Sequence, residues 1–105
     1  MNAYNERIAA MSDKLDFYGV PNKVNDCWNG AQIRFPWCLG DVACHEYTCG
    51  CKIGYVETYQ FPWDNGDTTG LTPEEAVDKI VQYYIKEMKK LFTPMKSFLT
   101  KEDLE

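Results

Sequence analysis

Cys44, His45, Cys49 and Cys51 fall within eight residues of one another, with Cys38 and Cys27 upstream. Thiolates with one imidazole are the donor set that suits a tetrahedral zinc ion. Such a site would use Cys44, Cys49, Cys51 and one of Cys38 or His45. Two features weigh against it. The spacing C-x4-C-x-C lacks the paired C-x2-C units of common zinc modules. Cys44 and His45 are also neighbours on an expected strand, where successive side chains point to opposite faces. The cysteines therefore read as free thiols that pack as small apolar groups, with a zinc-stabilised structural mini-domain as the alternative. Five cysteines and no export signal at the N-terminus disfavour disulfides.

A cysteine–histidine hydrolase would need an activated thiolate, an orienting third group and an oxyanion site. A single histidine among several cysteines does not supply that set. No G-x-S-x-G, phosphate-cradling glycine loop, H-E-x-x-H or C-x-x-C occurs. Asp26 and Glu57 are candidates for buried carboxylates, yet nothing pairs them for acid–base work. Asp64-Asn65-Gly66-Asp67 hints at calcium but lacks the alternating acidic ligands and distal glutamate of an EF-hand loop. The chain is expected not to be an enzyme and to carry no cofactor.

The most specific feature is a doubled string. Phe35-Pro36-Trp37-Cys38-Leu39-Gly40-Asp41 and Phe61-Pro62-Trp63-Asp64-Asn65-Gly66-Asp67 share the pattern F-P-W-x-x-G-D. Phenylalanine ends a run of strand character in each. Proline then removes a ladder donor, tryptophan covers the open end, and Gly-Asp turns the chain. On this reading the strings are matching hairpin exits. On the functional reading, Trp37, Trp63, Asp41 and Asp67 form one aromatic–acidic patch that anchors a basic or arginine-bearing partner.

The elements that must position these residues follow from periodicity. Tyr4, Ile8, Met11, Leu15 and Tyr18 make one apolar stripe on a helix over about 3–18, capped by Asn2 and stopped by Gly19 and Pro21. Asn29-Gly30 is a type I′ pair. It predicts a hairpin with Val24, Trp28, Ala31, Ile33 and Phe35 buried, and with Asp26 either turned out by a bulge or near the sheet's edge. A second strand pair, about Asp41–Tyr47 and Ile53–Phe61, is joined by the tight segment T-C-G-C-K-I-G. Thr72, Pro73 and Glu75 form a capping box, with Leu71 stapling onto Ala76. The final helix, about 73–92, would bury Val77, Ile80, Val81, Tyr84, Met88 and Leu91, then end at Pro94 before a short tail over 95–105. The expected fold is α+β in two layers: an antiparallel four-stranded meander over about 22–63, in the order α-β-β-β-β-α, with both helices on one face. It forms one domain over 1–105.

Composition sets the class of partner. The chain has 105 residues, 45% apolar and 14% aromatic, enough to build one core. Its net charge of −5 argues against direct nucleic-acid binding, which needs a basic surface. No apolar run approaches the ~20 residues of a membrane span. A cytoplasmic location, in a bacterial or phage-infected host cell, is therefore expected.

The residues W-N-G-A-Q-I-R-F-P-W, Y-Q-F-P-W-D-N-G-D and L-T-P-E-E-A-V, covering about Trp28 to Val77, resemble small uncharacterised accessory proteins encoded by bacteriophages and mobile elements of gut bacteria. The resemblance implies a short accessory protein that inhibits host defence, such as an anti-CRISPR, and carries over no catalytic residues. The leading expectation is thus a domain that binds a partner protein by surface contact, as a monomer or homodimer. A zinc-stabilised domain and a homo-oligomer joined through its tryptophan-rich surface or sheet edge are the alternatives.

Overall fold

A computed structural model describes residues 2–48 and 53–103, with side chains as far as Leu91. Seven main elements follow in order: α1 (Ala3–Phe17), β1 (Lys23–Cys27), β2 (Gly30–Arg34), β3 (Asp41–Cys44), β4 (Val56–Tyr59), β5 (Thr68–Leu71) and α2 (Pro73–Asp103). The strands form one antiparallel meander, β1-β2-β3-β4-β5. α1 lies on β1, β2 and β3, while α2 lies on β4, β5 and α1, so both helices cover the same face. No helix among the described residues is long and apolar enough to cross a membrane.

The helix starts are as the sequence predicts. Asn2 Oδ1 accepts the backbone N–H groups of Tyr4 and Asn5, satisfying donors that the first turn leaves unpaired. Thr72 and Glu75 exchange backbone-to-side-chain hydrogen bonds at 3.1 and 3.2 Å, closing the capping box. The Thr72 backbone N–H also holds the exposed Glu75 carboxyl below its ordinary range. Leu71 and Ala76 are both buried in the core, where the staple expects them. The centre of that core is Ile8, Met11, Leu15, Ile33, Val42 and Ile80.

Several expectations need correction. The sheet has five strands rather than four and runs to Leu71 rather than stopping near 63. β5 reads Thr-Thr-Gly-Leu, with one apolar residue, so it carries little periodic signal; its backbone pairs with β4 from Thr68↔Tyr59 to Leu71↔Val56.

The first hairpin turns at Trp28-Asn29, not at Asn29-Gly30. Cys27 pairs with Gly30 and Val24 with Ile33, a shift of two residues that preserves which side chains share a face. Gly30 is held in the strand by a close approach: a Cβ there would lie 2.1 Å from the Cys44 carbonyl oxygen. Ala31, Ile33 and Phe35 are buried as expected, but Val24 on the edge strand and Trp28 in the turn are exposed. Asp26 also sits on that edge, exposed, where Asn5 Nδ2 donates to it at 3.3 Å.

α2 does not end before Pro94, so residues 95–103 are helical. A proline deprives a helix of one hydrogen bond and crowds the carbonyl four residues back. Lys, Leu, Met and Glu, which favour helix, are frequent on both sides of it. Because the helix outruns the sheet, its stripe is buried only at Val77 and Ile80. Val81, Tyr84 and Met88 are half-buried and Leu91 is exposed.

Candidate binding surface

The two strings occupy equivalent places, each linking one strand to the next. Phe35 follows β2 and Phe61 follows β4; both are buried and their rings meet edge-on at 5.8 Å. Gln60, at φ +61, lets the chain turn so that Phe61 enters the core. Pro62–Asp64 then form a single 3-10 turn. Trp63 stacks on Phe61 at 4.5 Å, and Trp37 packs against Tyr84 at 4.9 Å. Tyr83 joins both strings, touching Trp37, Phe61 and Trp63. The indole N–H groups are used internally, donating from Trp37 to the Pro21 carbonyl and from Trp63 to Thr58 Oγ1, both at 2.9 Å.

The four residues proposed as one patch all lie at the end of the sheet where the strings exit, Trp37 and Asp41 from the end of β2 to the start of β3 and Trp63 and Asp67 from the end of β4 to the start of β5. Trp37 and Trp63 are half-buried where α2 crosses the end of the sheet. Asp41 lies in β3, and Asp67 is exposed at the start of β5, accepting the Thr68 N–H at 2.8 Å. Sequence reasoning passed over Asp64, which is buried. Its carboxylate accepts Thr58 Oγ1–H at 2.8 Å and the Phe61 N–H at 3.0 Å. An acid next to an F-P-W turn was the available signal, but it was read for calcium.

The described members of the cysteine–histidine set, Cys38, Cys44 and His45, do not form a metal-ligating group. Cys44 is fully buried on the helix side, with Arg7 Nη1 donating to its sulfur at 3.2 Å. Cys38 precedes β3 and so lies at the opposite end of that strand. Burial pushes the Cys38 thiol up, and Glu87 and Asp41 add to the effect against a hydrogen bond from Gly40. Burial also raises the Cys27 thiol, reinforced by Asp26 and Asp41. Neither environment favours the thiolate that metal binding or nucleophilic attack requires. Cys49 and Cys51 lie outside the described residues, and among the described residues no group of three metal-ligating side chains occurs.

The face of the sheet away from the helices is open. Register places two rows of side chains across it: Lys23, Arg34, Asp41, Tyr59 and Thr68, then Asn25, Gln32, Ala43, Glu57 and Gly70. Tyr59 O–H donates to the buried Glu57 carboxylate. A groove of about 780 Å³ lies over the centre. Its middle is lined by Gln32, Arg34, Asp41 and Tyr59, and its far end by Cys38, Leu39 and Gly40. Burial raises the Asp41 carboxyl, opposed by the Arg34 charge and a Gln32 hydrogen bond.

The near end of the groove is aromatic. Trp28 is 63% exposed and Tyr47 is 71% exposed, with the buried His45 between them, 5.0 Å from Trp28 and 6.2 Å from Tyr47. Trp28 occupies the first turn position at φ +37, a region bulky residues rarely adopt, and Asn29 follows at φ +56. Neighbours hold this strained turn from both sides. The Glu46 N–H donates to the Trp28 carbonyl, Asn29 Nδ2 to the Glu46 carboxylate, and Asn5 Nδ2 to the Gly30 carbonyl at 2.7 Å. Asn2, already capping α1, gives its amide N–H to the Asn29 carbonyl. The 45–48 segment is locked as well, with His45 Nδ1 accepting the Tyr47 N–H at 3.1 Å.

An exposed, pre-set indole beside a polar groove can do what an interface anchor does: present large apolar area at little ordering cost. Comparison with known protein families, curated proteins and solved structures finds no match.

Proposed function

We propose that this chain is a non-enzymatic accessory domain that binds a partner protein through the open sheet face, with Trp28 as its central anchor. The observation that carries the proposal is the state of Trp28: a bulky side chain at positive φ, mostly exposed, and tied in place by Asn2, Asn5 and Glu46. Backbone strain of this kind costs about 1–3 kcal/mol and is characteristic of binding sites. Arg34, Asp41 and Tyr59 supply the polar contacts that orient a partner over the groove. The resemblance of residues 28–77 to phage and mobile-element accessory proteins gives the biological setting, an inhibitor of host defence such as an anti-CRISPR. The raised Cys27 and Cys38 thiols, and a His45 ring nitrogen already accepting from Tyr47, favour contact over catalysis.

The test is affinity capture from bacterial host extract with wild type, Trp28→Ala and Tyr47→Ala. Truncating a central aromatic anchor should weaken binding by about 2 kcal/mol or more, a loss of tens-fold. A specific partner captured equally well by Trp28→Ala would defeat the proposal, as would a chain that acts catalytically without one.

A further inference from the structure

At the near end of the groove three rings stand as the walls of a corner. Trp28, His45 and Tyr47 all line the groove, with centroids 5.0–6.2 Å apart and planes inclined 63–75° to one another. His45, the residue after β3, continues the open-face alternation of Asp41 and Ala43. It lies close over β2 because Gly30 has no side chain: a Cβ there would stand 2.6 Å from the His45 Cβ. Hydrogen bonds fix the corner in the free chain. Thr48 Oγ1 donates to the His45 carbonyl at 2.8 Å and accepts the His45 N–H at 3.1 Å, while His45 Nδ1 accepts the Tyr47 N–H.

We infer that this corner seats a lysine side chain of the partner protein, its ammonium held against the rings of Trp28, His45 and Tyr47. The inference rests on the open-face reading above and names the chemistry that face recognises. A cation is drawn to a ring face within about 6 Å of the centroid. Walls inclined this steeply suit a compact ammonium, which carries its charge in every direction. A planar guanidinium stacks on one ring at a time. The charges agree. Glu46, bonded to Asn29 Nδ2 at 3.0 Å, borders Trp28, and Glu57 pairs with Ala43 in the row next to His45. Arg34, the cation among the described lining residues, is four residues along β2 from Gly30. That is about 13 Å, beyond the ~8–10 Å over which salt leaves charges in contact. The described cation–ring contacts within the chain, Arg7 over Tyr4 and Lys79 over Trp63, lie elsewhere. The corner is thus left to a cation from outside, and a net charge of −5 favours the approach of a basic partner.

Proton NMR titration of the full chain tests this by following the indole N–H signals. The probe is a short glycine–serine peptide with one central lysine; its variants carry ε-dimethyl-lysine, ε-acetyl-lysine or arginine at that place. The lysine and dimethyl-lysine probes should shift the Trp28 signal saturably, in roughly the millimolar range, and leave Trp37 and Trp63 in place. Acetyl-lysine, which has lost the charge, should not bind, and arginine should bind more weakly than lysine. Tyr47→Ala should weaken the lysine probe about two- to five-fold. An equal response to acetyl-lysine, a tighter response to arginine, or no saturable shift would overturn the inference. The two readings fail separately. Capture of a partner that is lost in Trp28→Ala yet survives acetylation of the extract's lysines would sink the lysine assignment and leave the binding surface standing. Capture indifferent to Trp28, with the lysine probe still seated beside it, would defeat the anchor and spare the cation site.

Discussion

The molecule has two aromatic clusters, and they sit at opposite ends of the sheet with opposite relations to water. At one end Phe35, Trp37, Phe61, Trp63, Tyr83 and Tyr84 close the core between the strand exits and α2. At the other, Trp28, His45 and Tyr47 contact one another beside the open groove. The first cluster gives its polar tips to the fold, through Pro21 and Thr58. The second leaves Trp28 and Tyr47 largely in solvent and uses hydrogen bonds to fix the backbone beneath them. The difference sets a doubled string packed into the fold against a solitary tryptophan left exposed beside the groove, the residue proposed above as the anchor.

Substitutions can break that contrast, beginning with the largest effect. Phe61→Ala removes the ring shared by both strings and should destabilise the chain by about 3–5 kcal/mol, read from chemical denaturation. Asp64→Ala leaves the buried Thr58 hydroxyl and Phe61 N–H without their acceptor; about 2–3 kcal/mol is expected in the same assay. At the other end, Trp28→Ala loses little burial and relieves positive-φ crowding only slightly, so its stability should stay within about 0.5 kcal/mol of wild type. A large loss of stability there would erase the distinction between the two ends.

The smallest effect concerns the groove floor and depends on pH. The folded Asp41 carboxyl titrates above its ordinary range, so the folded chain holds that proton more tightly than the unfolded one. Its contribution to stability is present in acid and is lost as pH rises through the folded value. Asp41→Asn removes this dependence. The difference between variant and wild type should therefore change just above the normal carboxylate range and stay flat at higher pH. The change should be below about 1 kcal/mol, because the group is only half-buried and the Arg34 charge opposes the shift.

Much of the architecture was legible in the residues because it rests on local chemistry. The Asn2 cap and the Thr72–Glu75 box involve partners three residues apart, and the two F-P-W exits use proline and glycine for their usual geometric reasons. What was not legible depends on distant neighbours. Gly30 reads as half of a turn, yet the Cys44 backbone arriving beside it requires a residue without Cβ, which moves the turn back to Trp28-Asn29. That displacement took Trp28 out of the expected core and made it the candidate anchor. Thr68–Leu71 carries too few apolar residues to declare a strand, and pairing with β4 defines it. Tyr83 lies off the expected stripe of α2, and it is half-buried by two strand exits that meet only in three dimensions.

The most direct test of the contrast is oxidative footprinting of the three tryptophans, with the chain alone and with its captured partner. Trp28 should oxidise fastest in the free chain and become protected in the complex, while Trp37 and Trp63 stay slow in both. Protection confined to Trp37 or Trp63, with Trp28 reacting equally in the free and bound states, would contradict the assignment of the open end as the binding surface.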